Sequence, residues 1–90
     1  MKFSFEPELF RKIQEINKKN PKLSKKIQKQ LRLFSIDPKY PSLKAHKLKG
    51  GLSERWSIYI EENMRMIYYL NVDEAVFFDI GTHDEVYRRK

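Results

Sequence analysis

The stretch RWSIYIEENMRMIYYLNVDEAVFFDI, from Arg55 to Ile80, decides the fold. Its first six residues alternate, with Trp56, Ile58 and Ile60 on one side of an extended chain and Arg55, Ser57 and Tyr59 on the other. Met64 to Leu70 is apolar on both sides except at Arg65, and Ala75 to Ile80 is rich in Val, Phe and Ile. That is the composition of strands buried on both faces. Glu61-Glu62-Asn63 and Asn71-Val72-Asp73 interrupt the pattern with turn-forming residues. Three strands joined by two tight turns predict an antiparallel meander.

Upstream the period changes from two to about three and a half. Lys2 to Phe5 alternates as a short strand, and Glu6-Pro7 opens a helix with proline in its first turn. Leu9, Phe10, Ile13 and Ile16 are predicted to share its buried face. Asn20-Pro21 stops this helix and starts the next, with Asn20 as N-cap. The second helix carries the stripe Leu23, Ile27, Leu31, Phe34 opposite Lys22, Lys25, Lys26, Lys29 and Arg32, and Asp37-Pro38 ends it. A tight Asn-Pro corner between two amphipathic helices predicts an antiparallel helix hairpin. Residues 38–53 hold Pro38, Pro41, Gly50 and Gly51 and read as a loop, with a short strand inside 44–49. Gly81-Thr82-His83 breaks the last strand, and Asp84 to Lys90 forms a helical turn. The fold class is α+β: a two-helix hairpin packed on a small antiparallel sheet of three to five strands, in one domain. The hairpin must cover one sheet face, and the other face, or its concave part, is left for function.

The chain has 90 residues and a net charge of +7, distributed unevenly. Residues 1–50 carry 14 Lys and Arg against 4 Asp and Glu, whereas residues 51–90 carry 5 against 8. A basic half beside a mildly acidic half fits one surface that faces a polyanion. Nucleic acid fits best and an acidic protein partner second; solubility alone is the bland alternative. There is no cysteine, no apolar leader-like run at the start and no uninterrupted apolar stretch, which together lead us to expect a cytoplasmic protein. No phosphate-binding glycine loop is present, and two histidines without carboxylates at ligand spacing do not make a metal site, so no cofactor is expected.

The residues that could carry chemistry are basic or aromatic. Lys44, His46, Lys47 and Lys49 precede the meander, Arg55 begins it, Arg65 lies inside it, and His83 and Tyr87 follow it. In a meander the Arg65 end of one strand and the His83 end of its neighbour meet. Arg65, among apolar and aromatic neighbours, either pairs with Asp79 or Glu61 or aims its guanidinium at a phosphate, which it can grip with two parallel hydrogen bonds. His83 is either a surface turn residue or a general acid or base, a role for which imidazole is the usual side chain. Tyr87, one helical turn on, either packs or stacks on an unpaired base. The loop lysines are solvated charges or, together with Arg55, a binding site for a nucleic-acid backbone. Trp56 belongs to the core rather than to a base platform.

Three motifs in order carry a resemblance over nearly the whole chain. His46 to Ile58 resembles the LKG-x-L-x-x-x-W-S stretch of RelE/ParE superfamily toxins. Arg65-Met66-Ile67-Tyr68 resembles their R-[LVM]-[IV]-Y strand, and Gly81-Thr82-His83 to Tyr87 resembles the GTH-x-x-[LVI]-[FY] ending of the YafQ-like branch. The resemblance implies a RelE-like fold and the toxin of a type II toxin–antitoxin pair. It further implies an endoribonuclease that cuts mRNA in the ribosomal A site without a metal, held in check by a small antitoxin with an acidic amphipathic segment. By position, Arg65 would stabilise the scissile phosphate and His83 would be the general acid or base. His46 matches a histidine of the YafQ-like pattern and Tyr87 an aromatic position near its active site. Lys44, Lys47, Lys49 and Arg55 would hold RNA. The YafQ-like pattern has a second histidine where Tyr59 stands and an aspartate where Asn63 stands, whereas Arg65 is more typical of the RelE and YoeB branches. Two other readings are a ParE-like gyrase poison, against which the Gly-Thr-His ending speaks, and a non-catalytic RNA-binding module.

Overall fold

The computed structural model describes residues 1–48 and 54–89, the last three as backbone only. The chain runs β1 (Lys2–Phe5), α1 (Pro7–Lys19), α2 (Pro21–Ile36), a 3-10 turn (Pro41–Leu43), β2 (His46–Lys47), β3 (Trp56–Glu61), β4 (Met64–Asn71), β5 (Glu74–Thr82) and α3 (His83–Arg89). The five strands form one sheet in the order β1-β5-β4-β3-β2.

The helix hairpin forms as its corner residues dictate. Asn20 Oδ1 accepts the Leu23 N–H at 3.2 Å, so Asn20 caps α2, and Pro21 occupies its first turn. The stripe Leu23, Ile27, Leu31, Phe34 is buried against Leu9 and Ile13 of α1 and against the sheet residues Ile58, Ile60, Met66, Tyr68 and Phe77. Phe34 is at the centre, fully enclosed, with edge-on contacts to Phe77 (5.2 Å) and Tyr68 (5.1 Å). Burial pushes the Tyr68 phenol above its ordinary pKa.

Two expectations change. Phe10 is 49% exposed, because it lies on the shoulder of the α1 face and leans on the Phe5 ring rather than entering the core. β1 pairs with β5 in parallel, Lys2 opposite Glu74 through Phe5 opposite Phe77, so the sheet is mixed rather than antiparallel throughout. Alternation in β1 fixes which face is buried, but its partner and direction follow from where the helices return the chain. The register between β4 and β5 also slips by one, Ile67 opposite Asp79 but Tyr68 opposite Phe77, which makes Phe78 the extra residue of a β-bulge.

The second sheet face is not left bare. α3 folds back onto it, and Val86 packs with Leu48, Ile67 and Phe78 in a small second core. At the end of that face where β3 turns into β4 and β5 runs into α3, Glu62, Asn63 and Asp84 are exposed. No helix among the described residues is long and apolar enough to cross a membrane.

Candidate active site

Because Trp56, Ile58 and Ile60 of β3 point to the helix hairpin, Ser57 and Tyr59 point the other way. The register then sets their neighbours. His46 of β2 lies opposite Ser57, Tyr59 opposite Arg65 of β4, and Arg65 opposite Gly81 of β5. Paired residues on adjoining strands stand roughly 5 Å apart. One face thus collects His46, Tyr59 and Arg65 within three strands, with His83 just beyond the end of the fourth.

The turn between β3 and β4 ties these residues together. Glu62 has φ 42, a left-handed conformation that costs a non-glycine residue about 1 kcal/mol or more. Four hydrogen bonds, made by three residues, hold the turn there. The Tyr59 hydroxyl oxygen accepts the Glu62 N–H at 2.8 Å. Arg65 Nη1 donates to the carbonyls of Glu62 and Met64, both at 3.1 Å. The His83 N–H donates to the Asn63 carbonyl at 2.9 Å. The Arg65 guanidinium lies over the Tyr59 ring, 5.0 Å from its centroid, and Lys44 Nζ lies over the same ring at 4.8 Å. Arg65 pairs with neither of the carboxylates its sequence context offered: Asp79 meets Lys12 at 3.8 Å and Glu61 meets Lys26 at 4.0 Å. Its charge is compensated by an aromatic face and two backbone carbonyls, which leaves the cation's full formal charge in the site.

His83 is the first residue of α3, and its position comes from a reciprocal cap. The Glu85 N–H donates to Thr82 Oγ1 at 3.2 Å while the Thr82 N–H donates to a Glu85 carboxylate oxygen at 2.8 Å. This is a capping box. Its signature, Thr82-x-x-Glu85, stood in the sequence beside the histidine it places, and reading Gly81-Thr82-His83 only as a strand breaker passed it over. The His83 ring faces Asp84 at 3.7 Å. On β2, His46 Nδ1 lies 3.4 Å from the Ser57 hydroxyl, and Ser57 is itself fully buried.

The remaining cations are spread more widely. Lys47 pairs with Glu54 at 2.8 Å, an exposed contact. Arg55 stands at the start of β3, about 13 Å along the strand from Tyr59 at roughly 3.3 Å per residue, with its guanidinium 5.4 Å from the Phe78 ring centre. Its Nε is buried without a hydrogen-bond partner among the described residues. Lys49 and the side chain of Tyr87 lie outside the described residues; the Tyr87 backbone lies in α3, four positions after His83. The structure thus brings Lys44 and Arg65 together on Tyr59, which the sequence missed as a participant, and ties the His83 backbone to the same turn, whereas His46 stands opposite Ser57, two positions back along β3, and Arg55 farther along still. On the opposite side of β4 and β5 a cleft of about 340 Å³ separates the helix hairpin from the sheet, walled by Lys12, Ile16, Leu23, Met64 and Ile80.

Comparison with known proteins follows this geometry. The YoeB/ParE toxin from Agrobacterium tumefaciens superposes with a TM-score of 0.78 at 19% identity, over 92% of this chain and 99% of that one. YoeB in the YoeB–YefM complex from Staphylococcus aureus gives 0.76 at 23% identity, over 92% and 97%. YafQ from E. coli strain BL21(DE3) gives 0.71 at 17% identity, over 94% and 96%. At these identities the likeness is one of fold. No curated protein sequence matches the chain. A sequence model of the family described as "Bacterial toxin of type II toxin-antitoxin system, YafQ" matches residues 1–88. The chain therefore belongs to the YafQ family of type II toxin–antitoxin toxins.

Proposed function

We propose that this toxin is an endoribonuclease that cuts mRNA on the ribosome, with Arg65, His83 and His46 as its reacting groups. The observation that carries the reading is an arginine with no carboxylate partner among the described residues, at the same end of β4 and β5 as the histidine that opens α3. The ribose 2′-oxygen attacks the adjacent phosphorus and the bond from phosphorus to the 5′-oxygen breaks, leaving a cyclic phosphate and a free 5′-hydroxyl. This chemistry needs no metal ion. It needs a base for the 2′ proton and an acid for the leaving oxygen, roles suited to two imidazoles. It also needs a fixed cation for the charge that grows on the phosphorane. Lys44 holds the backbone beside Arg65, with Lys47, Lys49 and Arg55 adding attraction along its path. Tyr87, one helical turn past His83, stacks on an exposed base.

The antitoxin completes the reading. YoeB of S. aureus is solved with YefM, and YafQ of E. coli with DinJ. For this chain, with a net charge of +7, we infer an acidic amphipathic antitoxin segment that docks in the cleft between the helix hairpin and the sheet.

The test is inducible expression in a bacterial host of the wild type and of His83→Ala, with 5′ ends mapped on a reporter mRNA. In-frame cuts that vanish in the variant support the assignment. Cuts that persist in His83→Ala sink the role of His83, and growth arrest with intact mRNA sinks the ribonuclease reading itself.

A further inference from the structure

Tyr59 stands where the family pattern puts a histidine, and its surroundings give it a different task. Two cations, Arg65 and Lys44, lie over its ring at 5.0 and 4.8 Å. Its hydroxyl oxygen accepts the N–H of Glu62, the residue in the left-handed conformation. Arg65 Nη1 in turn donates to the carbonyl of that same residue. The ring and the turn therefore fix one guanidinium from two directions, and through Asn63 the turn also holds the backbone of His83.

We propose that Tyr59 is a positioning residue: its aromatic face and its hydroxyl together set Arg65 and Lys44 as a preformed cradle for the RNA phosphate, and it transfers no proton itself. An arginine side chain free to rotate would lose several rotamer states on gripping a phosphate. Stacked on Tyr59 and bonded to the turn, Arg65 has already lost them. The faces of the ring are electron-rich, which compensates the charge of each cation that lies over it. A histidine here, when protonated, would add a third positive charge and remove that compensation. The inference rests on the ribonuclease reading for its kinetic arm but not for its structural arm.

The experiment compares the wild type with Tyr59→Phe, Tyr59→Leu, Arg65→Ala and the Tyr59→Leu/Arg65→Ala double variant, after thermal unfolding has shown each to be folded. The kinetic arm is single-turnover cleavage of ribosome-bound mRNA. Tyr59→Leu is expected to lower the cleavage rate about 10- to 100-fold, the range that misplaced groups produce. Tyr59→Phe, which keeps the ring, is expected to recover most of that loss. In the Arg65→Ala background Tyr59→Leu is expected to add almost nothing, because the two act as one unit. Loss in the double variant equal to the product of the single losses overturns the proposal, as does a Tyr59→Phe variant no better than Tyr59→Leu. The structural arm is NMR of the Arg65 side chain. Upfield shifts from the Tyr59 ring that persist in Tyr59→Phe and collapse in Tyr59→Leu support the stacking, and unshifted Arg65 signals in the wild type refute it. A wild type that shows those shifts yet leaves RNA intact supports the stacking and removes the ribonuclease reading alone.

Discussion

At the scale of the residue, what separates Arg65 from an ordinary buried arginine is the nature of its partners. A carboxylate would cancel its charge, whereas backbone carbonyls and a ring face hold it in place and leave the charge available. Lysine offers neither the fork nor the flat face for stacking, so Arg65→Lys should behave nearly like Arg65→Ala. We expect both to lose about 10²- to 10³-fold in cleavage rate, as when one preorganised donor to a developing charge is removed. Cleavage kinetics on a ribosome-bound message check this, and near-wild-type activity in Arg65→Lys would show that a point charge suffices. The sequence made Arg65 and His83 conspicuous because a lone arginine in an apolar strand and a histidine after Gly-Thr break local pattern. Tyr59 broke no pattern, since an aromatic residue at an alternating strand position is ordinary. Its role comes from a register that places it opposite Arg65, which local sequence does not encode.

At the scale of the element, the short helix α3 carries the catalytic proposal while having little of its own to hold it. Seven residues are too few for a helix to persist unaided in water. It is held by the Thr82–Glu85 capping box at one end and by Val86 in the second core. Thr82→Ala should cost about 1 kcal/mol of helix stability, the usual loss on removing such a cap. Cleavage should fall by more than global stability does, because His83 is the first residue the cap places. Urea unfolding set beside cleavage rates tests it. Thr82→Ser should restore both, and a Thr82→Ala variant with full activity would show that Val86 alone fixes the helix. The two long helices were legible from Asn20-Pro21 and the apolar stripe, because capping and periodicity are local. Only Phe10 departed, and it did so because helical spacing assigns a side of the helix but not the width of the groove it meets.

At the scale of the molecule, both halves depend on one aromatic centre. Phe34 of α2 is fully enclosed between Tyr68 and Phe77, so it joins the hairpin to the sheet. Phe34→Ala should cost about 3–5 kcal/mol. That is a large share of what a small domain has, typically about 5–15 kcal/mol. A drop in the urea midpoint with an unchanged slope checks it, and a loss below about 1 kcal/mol would mean that the core collapses to fill the gap. The meander and the hairpin were readable before the structure, but the parallel seat of β1 was not, since the partner of an edge strand is chosen by the path of the whole chain. That seat also sets an order of events. Lys2–Phe5 is made early, yet its partner strand spans Glu74–Thr82 and runs directly into His83. A nascent chain therefore cannot close its sheet, or bring its histidine to its arginine, until the residues up to His83 have left the ribosome. If the toxin is the nuclease we propose, the delay protects the machine that is making it, because the site stays unassembled until its last strand and α3 have emerged.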